Sequence, residues 1–177
     1  MKKLTFKITG EQPLIMHNGQ LANPLNDITK QLKAISGKRQ KTDADLEEMA
    51  RLEWYGSLYT NEKGKICIPG QIFEAVLFNA AKGKKLGKKA LAGLFCDDNF
   101  VLDFPGKDKS IDKLCNDPEY RFSALVVIQK SRIIRMRPIF KKWSAVVGVE
   151  FDEKVFNERE VIDIVQMGGD IGIGDWR

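Results

Sequence analysis

Cysteine is scarce in these 177 residues and histidine scarcer: there are three of the first and one of the second. Cys67, Cys96 and Cys115 stand 29 and 19 residues apart. An odd count without a Cys-x-x-Cys pair excludes a disulfide framework and a zinc ribbon, and points to reduced thiols in the cytoplasm. No metal or other cofactor is expected. Long apolar runs are also missing: none nears the roughly 20 residues that cross a bilayer, so no membrane partner is expected. The opening stretch, Met1 to Ile8, alternates polar and apolar residues and lacks the continuous apolar core of a secretory signal. No Gly-x-Ser-x-Gly, His-Glu-x-x-His or phosphate-loop pattern occurs, and no repeat or low-complexity tract.

What is present is an ordinary globular composition, 43% hydrophobic and 30% charged. A chain of this length buries roughly 70% of its unfolded surface, enough for one complete core. A single domain over 1–177 is expected, with a helical insertion at 26–60. The formal net charge is +5, but the cations are segregated. Residues 28–42 hold Lys30, Lys33, Lys38, Arg39 and Lys41; residues 75–96 hold Lys82, Lys84, Lys85, Lys88 and Lys89; residues 121–149 hold Arg121, Lys130, Arg132, Arg135, Arg137, Lys141 and Lys142. None of the three blocks contains an acid. Their 17 cations leave the rest of the chain with 12 basic and 24 acidic side chains, a net of −12. Blocks of one sign point to a polyanion partner.

The third block interleaves arginine with apolar and aromatic residues. On a strand, Arg135 and Arg137 share one face, and Ile134 and Met136 share the other. Pro138 points to an edge strand or a turn. Arginine forks onto phosphate and stacks on bases, and Phe140 and Trp143 can either offer ring faces or enter the core.

Periodicity predicts a strand over 3–9, then a polar loop carrying His17. Asn26 or Asp27 caps a helix to about Ile35, and Asp43 caps a second to about Leu58. A turn at Asn61–Gly64 leads into a short strand to Ile68. Pro69-Gly70 opens a helix to about Lys82. A glycine-spaced basic loop follows, then a short helix over 88–95, a strand over 100–104 and a short helix capped by Ser110. Strands are predicted at 122–129, 133–137 and 144–151. Asn157 caps a last helix that Gly168 and Gly169 end. Without the insert the order is strand, helix, strand, strand, helix. That is the start of a βαββαβ unit, an α+β fold of ferredoxin-like (RRM-like) type with an antiparallel sheet. A sixth element, a strand after Gly174, has no counterpart. The chain closes instead on a C-terminal glycine-rich loop, Gly168 to Arg177. Glycine at this density permits close approach to a phosphate.

A glycine-rich loop directly after the last helix of such a unit, ending in aromatic and basic residues, resembles the RAMP superfamily. These are the RNA-binding subunits of CRISPR effector complexes and related processing proteins. The segment Ile66-Cys67-Ile68-Pro69-Gly70-Gln71-Ile72-Phe73-Glu74-Ala75-Val76-Leu77 is similar to that family's strand–Ile-Pro-Gly–helix segment. The step Gln12-Pro13-Leu14-Ile15 off the first strand is similar too. These segments cover under a third of the chain. Gln71, Ile72 and Glu74 stand where the family has small hydroxyl and basic residues. Asp27, near the place of a catalytic aspartate in RNA-cleaving members, reads here as a helix cap. The resemblance implies binding of single-stranded RNA as a repeated subunit, with copies of itself or effector-complex subunits as partners. A phage or mobile-element relative is equally compatible.

The resulting expectation is a non-catalytic protein that binds single-stranded RNA or DNA, RNA preferred. Arg135 and Arg137 would be bidentate phosphate or base-stacking contacts, with Lys130, Arg132, Lys141 and Lys142 gripping the backbone beside them. Lys84, Lys85, Lys88 and Lys89 would form a diffuse phosphate clamp. Gly172 and Gly174 would allow backbone approach, with Trp176 and Arg177 beside them. Two alternatives stand beside it. One is a metal-independent endoribonuclease using His17 as general acid or base. The other is a phage assembly or interaction protein whose basic blocks meet acidic partners.

Overall fold

A computed structural model describes residues 1–97, 99–128 and 131–174. The elements in chain order are β1 (Lys2–Thr9), β2 (Leu14–Ile15), α1 (Asp27–Ser36), α2 (Asp43–Ser57), β3 (Cys67–Pro69), α3 (Gly70–Gly83), α4 (Gly87–Gly93), β4 (Leu94–Cys96), β5 (Asn99–Asp103), α5 (Ile111–Asn116), β6 (Arg121–Ile128), β7 (Ser131–Phe140), β8 (Ser144–Phe151) and α6 (Glu158–Ile171). The fold is α+β with antiparallel sheets. No described helix is long and apolar enough to cross a membrane.

The chain forms two compact units, each assembled from discontinuous stretches. Unit 1 comprises Met1–Glu11, Thr60–Pro105 and Trp143–Arg177; unit 2 comprises Gln12–Tyr59 and Gly106–Lys142. The two helices of the expected insertion, α1 and α2, belong to unit 2, where they join a strand hairpin from a second stretch of chain.

In unit 1, β8 lies between β1 and a split neighbour. It pairs with β1 along its whole length, from Lys2 opposite Phe151 to Thr9 opposite Ser144. On its other flank β4 covers one end and β5 the other. β3 extends the sheet beyond β5. Since β1, β4 and β5 all oppose β8, they run in one direction, and α3 lies between them in sequence. α3 and α6 pack together and onto the sheet. Phe73 and Leu77 of α3 and Val161 and Ile164 of α6 meet Phe100, Val147, Val149 and Phe151 in the core. Alternate residues of β8, Ala145, Val147, Val149 and Phe151, all point into it. Burying a side chain of this size stabilises by roughly 1.5–3 kcal/mol.

Two helix boundaries differ from expectation. α6 is not ended by Gly168-Gly169 but runs on to Ile171. Gly168 serves packing: a Cβ there would lie 3.2 Å from Val76 of α3. Gly172 ends the helix, at φ 78°, and its N–H reaches Gly168 C=O at 3.0 Å. At the start of α2 the cap is Thr42, not Asp43. The Thr42 hydroxyl accepts from Asp45 N–H at 3.2 Å, and the Asp45 carboxylate accepts from Thr42 N–H at 3.1 Å.

Unit 2 has the strand order β2-β7-β6, with α2 packed on β7 and α1 on α2. Leu52, Trp54, Leu58, Leu114, Ala124, Ile139 and Phe140 are buried in it. The Trp54 indole N–H donates to Tyr120 C=O at 2.7 Å. Pro138 sits in the middle strand rather than at an edge or turn. Its C=O accepts Met16 N–H at 3.1 Å, on the flank away from β6. β2 is only two residues long, so that flank demands little of the ladder and the missing N–H is tolerated.

Candidate nucleic-acid interface

Charge is divided unequally between the units. Unit 2 carries 16 basic and 10 acidic side chains, a net of +6, and unit 1 carries 13 and 14, a net of −1. The lysine block of 82–89 is in unit 1, and that of 130–142 in unit 2.

The 82–89 segment is not a loose loop: it is the end of α3, a tight turn over 84–86 and the start of α4. Leu86 N–H bonds to Ala81 C=O at 2.8 Å and Lys85 N–H to Lys82 C=O at 3.0 Å. This pair of bonds closes the C-terminus of α3 as a Schellman turn. The position that turn needs in the left-handed region is usually glycine, yet here it is Lys85, at φ 62°. Lys82, Lys84, Lys85, Lys88 and Lys89 are all exposed. Lys84 is paired with Asp163 at 3.2 Å, and the Lys82 ammonium lies 5.5 Å from the Phe78 ring centre. Among the described residues, no acid lies within ion-pair distance of Lys85, Lys88 or Lys89. Three exposed cations, one on the hydrogen-bonded turn and two at the start of α4, can track phosphates without first being released from a carboxylate of the described residues.

The arginine strand behaves otherwise. Arg137 is 7% exposed and Arg135 is half-buried, whereas Ile134 on the opposite face is 66% exposed. The face expected to grip a phosphate backbone is therefore the one turned onto α2. Glu53, 5% exposed, ion-pairs with Arg135 and accepts Met136 N–H at 2.9 Å. Arg137 donates to Ser57 Oγ at 3.3 Å and to the Met136 carbonyl at 3.2 Å. Phe140 and Trp143 are 0% and 8% exposed, so neither offers a ring face to a base. Lys141 pairs with Glu119 at 3.0 Å, and Lys142 is exposed. Gly172 and Gly174 have φ of 78° and 104°, which only glycine adopts freely. The expectations placed on Lys130, Trp176 and Arg177, and on the side chain of Arg132, lie outside the described residues.

His17 is exposed and lies beside the arginine strand. Its Nε2 is 3.3 Å from Arg137 Nη2, and its C=O accepts the Tyr59 hydroxyl at 3.0 Å. A guanidinium only donates, so this contact is a hydrogen bond when Nε2 is the unprotonated ring nitrogen. The three thiols are held toward the protonated form. Burial raises those of Cys67 and Cys115, and pushes Cys96 up to about 12 with Glu74 and Asp97 adding to it. Among the described residues no group of three or more His, Cys, Asp or Glu is arranged to hold a metal ion.

Glu53 and Ser57 were not singled out from sequence. Four residues apart on α2, they share one helical face, and that spacing is the signal that could have found them. No protein-family model, curated protein or solved structure matches the chain.

Proposed function

We propose that this is a cytoplasmic, non-catalytic protein that binds single-stranded nucleic acid, RNA in preference to DNA, as a relative of the RAMP proteins. Unit 1 is read as the ferredoxin-like half of the molecule. Its support is a strand order in which β8 separates β1 from its parallel neighbours. The observation that carries the function is the lysine segment after α3, with Lys85, Lys88 and Lys89 exposed and, among the described residues, no acid within ion-pair distance of them. The arginines at 135 and 137 act from behind, holding β7 on α2. The glycine pair at 172 and 174 lets a strand approach the end of α6.

The test is fluorescence anisotropy with labelled single-stranded RNA and DNA of one sequence, across a range of salt. Binding is expected to weaken steeply with salt. Replacing Lys85, Lys88 and Lys89 together by alanine should flatten the slope of log K against log salt by about 2, since each phosphate contact to a single strand contributes about 0.7. A slope that does not change would reject the turn as the contact.

A second reading rests on His17. An exposed imidazole beside a guanidinium is an arrangement that can move a proton near a phosphate. The same RNA run on a gel after binding decides it. Cleavage that His17→Ala abolishes while binding persists would make the protein a ribonuclease, and intact RNA with the parent protein removes that reading.

A further inference from the structure

β6 is the outer strand of its sheet: β7 lies on one side, and among the described residues no strand lies on the other. Backbone direction along the hairpin follows from two bonds. Met16 N–H reaches Pro138 C=O, and Met136 N–H reaches Glu53. Even-numbered residues of β7 therefore aim their backbone groups away from β6, and odd-numbered ones toward it. Arg135 faces Ala124 and Arg137 faces Phe122 in the register, so the even-numbered residues of β6 make the ladder. Ser123, Leu125 and Val127 aim theirs at the open side, while the N–H of Arg121, at the start of the strand, is taken by Pro118 C=O.

That edge lacks the usual protections. From Phe122 to Ile128 it holds no charge, no proline and no glycine, where natural edges carry lysine, proline or a bulge. Beyond Ser123 its outward side chains are large and apolar. Leu125 and Val127 are 54% and 67% exposed, and Ile134, opposite Leu125, is 66% exposed. An unprotected edge beside an apolar strip is a template for one more strand.

We propose that the open edge of β6 takes up an extended segment of a partner protein as an added antiparallel strand, with apolar residues at alternate positions and acidic residues at its ends. Backbone hydrogen bonds would supply the affinity, and Leu125, Val127 and Ile134 would select the side chains. Charge sets the ends. The stretch 106–142 holds ten basic and four acidic residues, and Arg121, Lys130 and Arg132 flank the apolar run in sequence. The same charge disfavours a second copy, because two units of net +6 would meet like to like. A nucleic acid would leave the row of alternating N–H and C=O groups largely unpaired.

The test selects a displayed library of random peptides, each about twelve residues long, against the whole protein. Two edge variants serve as controls. Ser123→Pro removes an N–H that faces away from β7, so the hairpin keeps its ladder. Leu125→Lys adds an edge charge at an exposed site. The expected result is enrichment of peptides with β-branched residues at alternate positions and Asp or Glu at both ends. Both variants should bind those peptides at least about tenfold more weakly at an unchanged unfolding midpoint. The proposal is overturned by no such pattern among the selected peptides, by binding equal in wild type and both variants, or by a dimer in solution that both variants dissociate. Loss of RNA binding in both variants would also overturn it, by assigning the edge to nucleic acid.

Discussion

Glu53 decides which way the arginine strand of unit 2 faces. The sequence shows that Arg135 and Arg137 share a face, but a period of two never says which face is inside. Apolar Ile134 and Met136 make the opposite choice look natural. α2 reverses it by bringing one carboxylate to both the Arg135 guanidinium and the Met136 N–H. Removing that carboxylate leaves a half-buried cation and an unpaired backbone donor. Glu53→Ala is therefore expected to destabilise by about 3 kcal/mol, seen as a lower urea midpoint. Glu53→Gln, which keeps an acceptor but not the charge, should lose distinctly less. Equal stability of all three proteins would show that the pair does not orient the strand. This is also where legibility ended at the residue scale: Phe140 and Trp143 were open to either a core or a surface role. Only the packed structure buries them.

The elements themselves were largely readable. Asn26, Ser110 and Asn157 cap the helices expected of them, because a short polar side chain before an apolar-periodic run has few other uses. The strands at 121–128, 131–140 and 144–151 follow their Val, Ile and Phe content. Three-residue β4 and two-residue β2 were not anticipated, since so short a strand leaves no period to detect. The end of α3 is the element with the most to test. Glycine at 85 would relieve the left-handed strain that lysine carries there, so Lys85→Gly is expected to stabilise by about 0.5 to 1 kcal/mol. If the turn binds phosphate, the same change should flatten the RNA salt slope by about 0.7. Thermal unfolding and anisotropy on one variant thus read stability and binding with opposite signs. A variant that is both more stable and undiminished in salt slope would leave the lysine without a binding role.

At the scale of the whole molecule, the sequence displayed three basic blocks but not their division between units. Chain order hides this, because unit 2 is built from two stretches 46 residues apart that interrupt unit 1. The acidic residues that compensate the blocks are distributed just as unevenly. The response of the whole molecule to pH follows from groups that only the fold brings together, and Tyr55 is the clearest. It lies on α2 in unit 2, and its hydroxyl donates to Asp112 in the first turn of α5. Burial first, then Asp112, pushes its phenol up to about 12. An unfolded chain releases that proton near pH 10. The folded state holds it longer, so the stabilisation is complete below about pH 10 and falls away as the pH rises through about 12. Urea midpoints measured from about pH 9 to about pH 12 should therefore drop more steeply for the wild type than for Tyr55→Phe, which has no phenol to titrate. Lysine titration contributes equally to both proteins and cancels in the comparison. Tyrosinate absorbance should rise later in the native protein than in urea. Parallel curves for the two proteins would mean that Tyr55 meets solvent freely and that its contact with Asp112 does not hold α5 against α2.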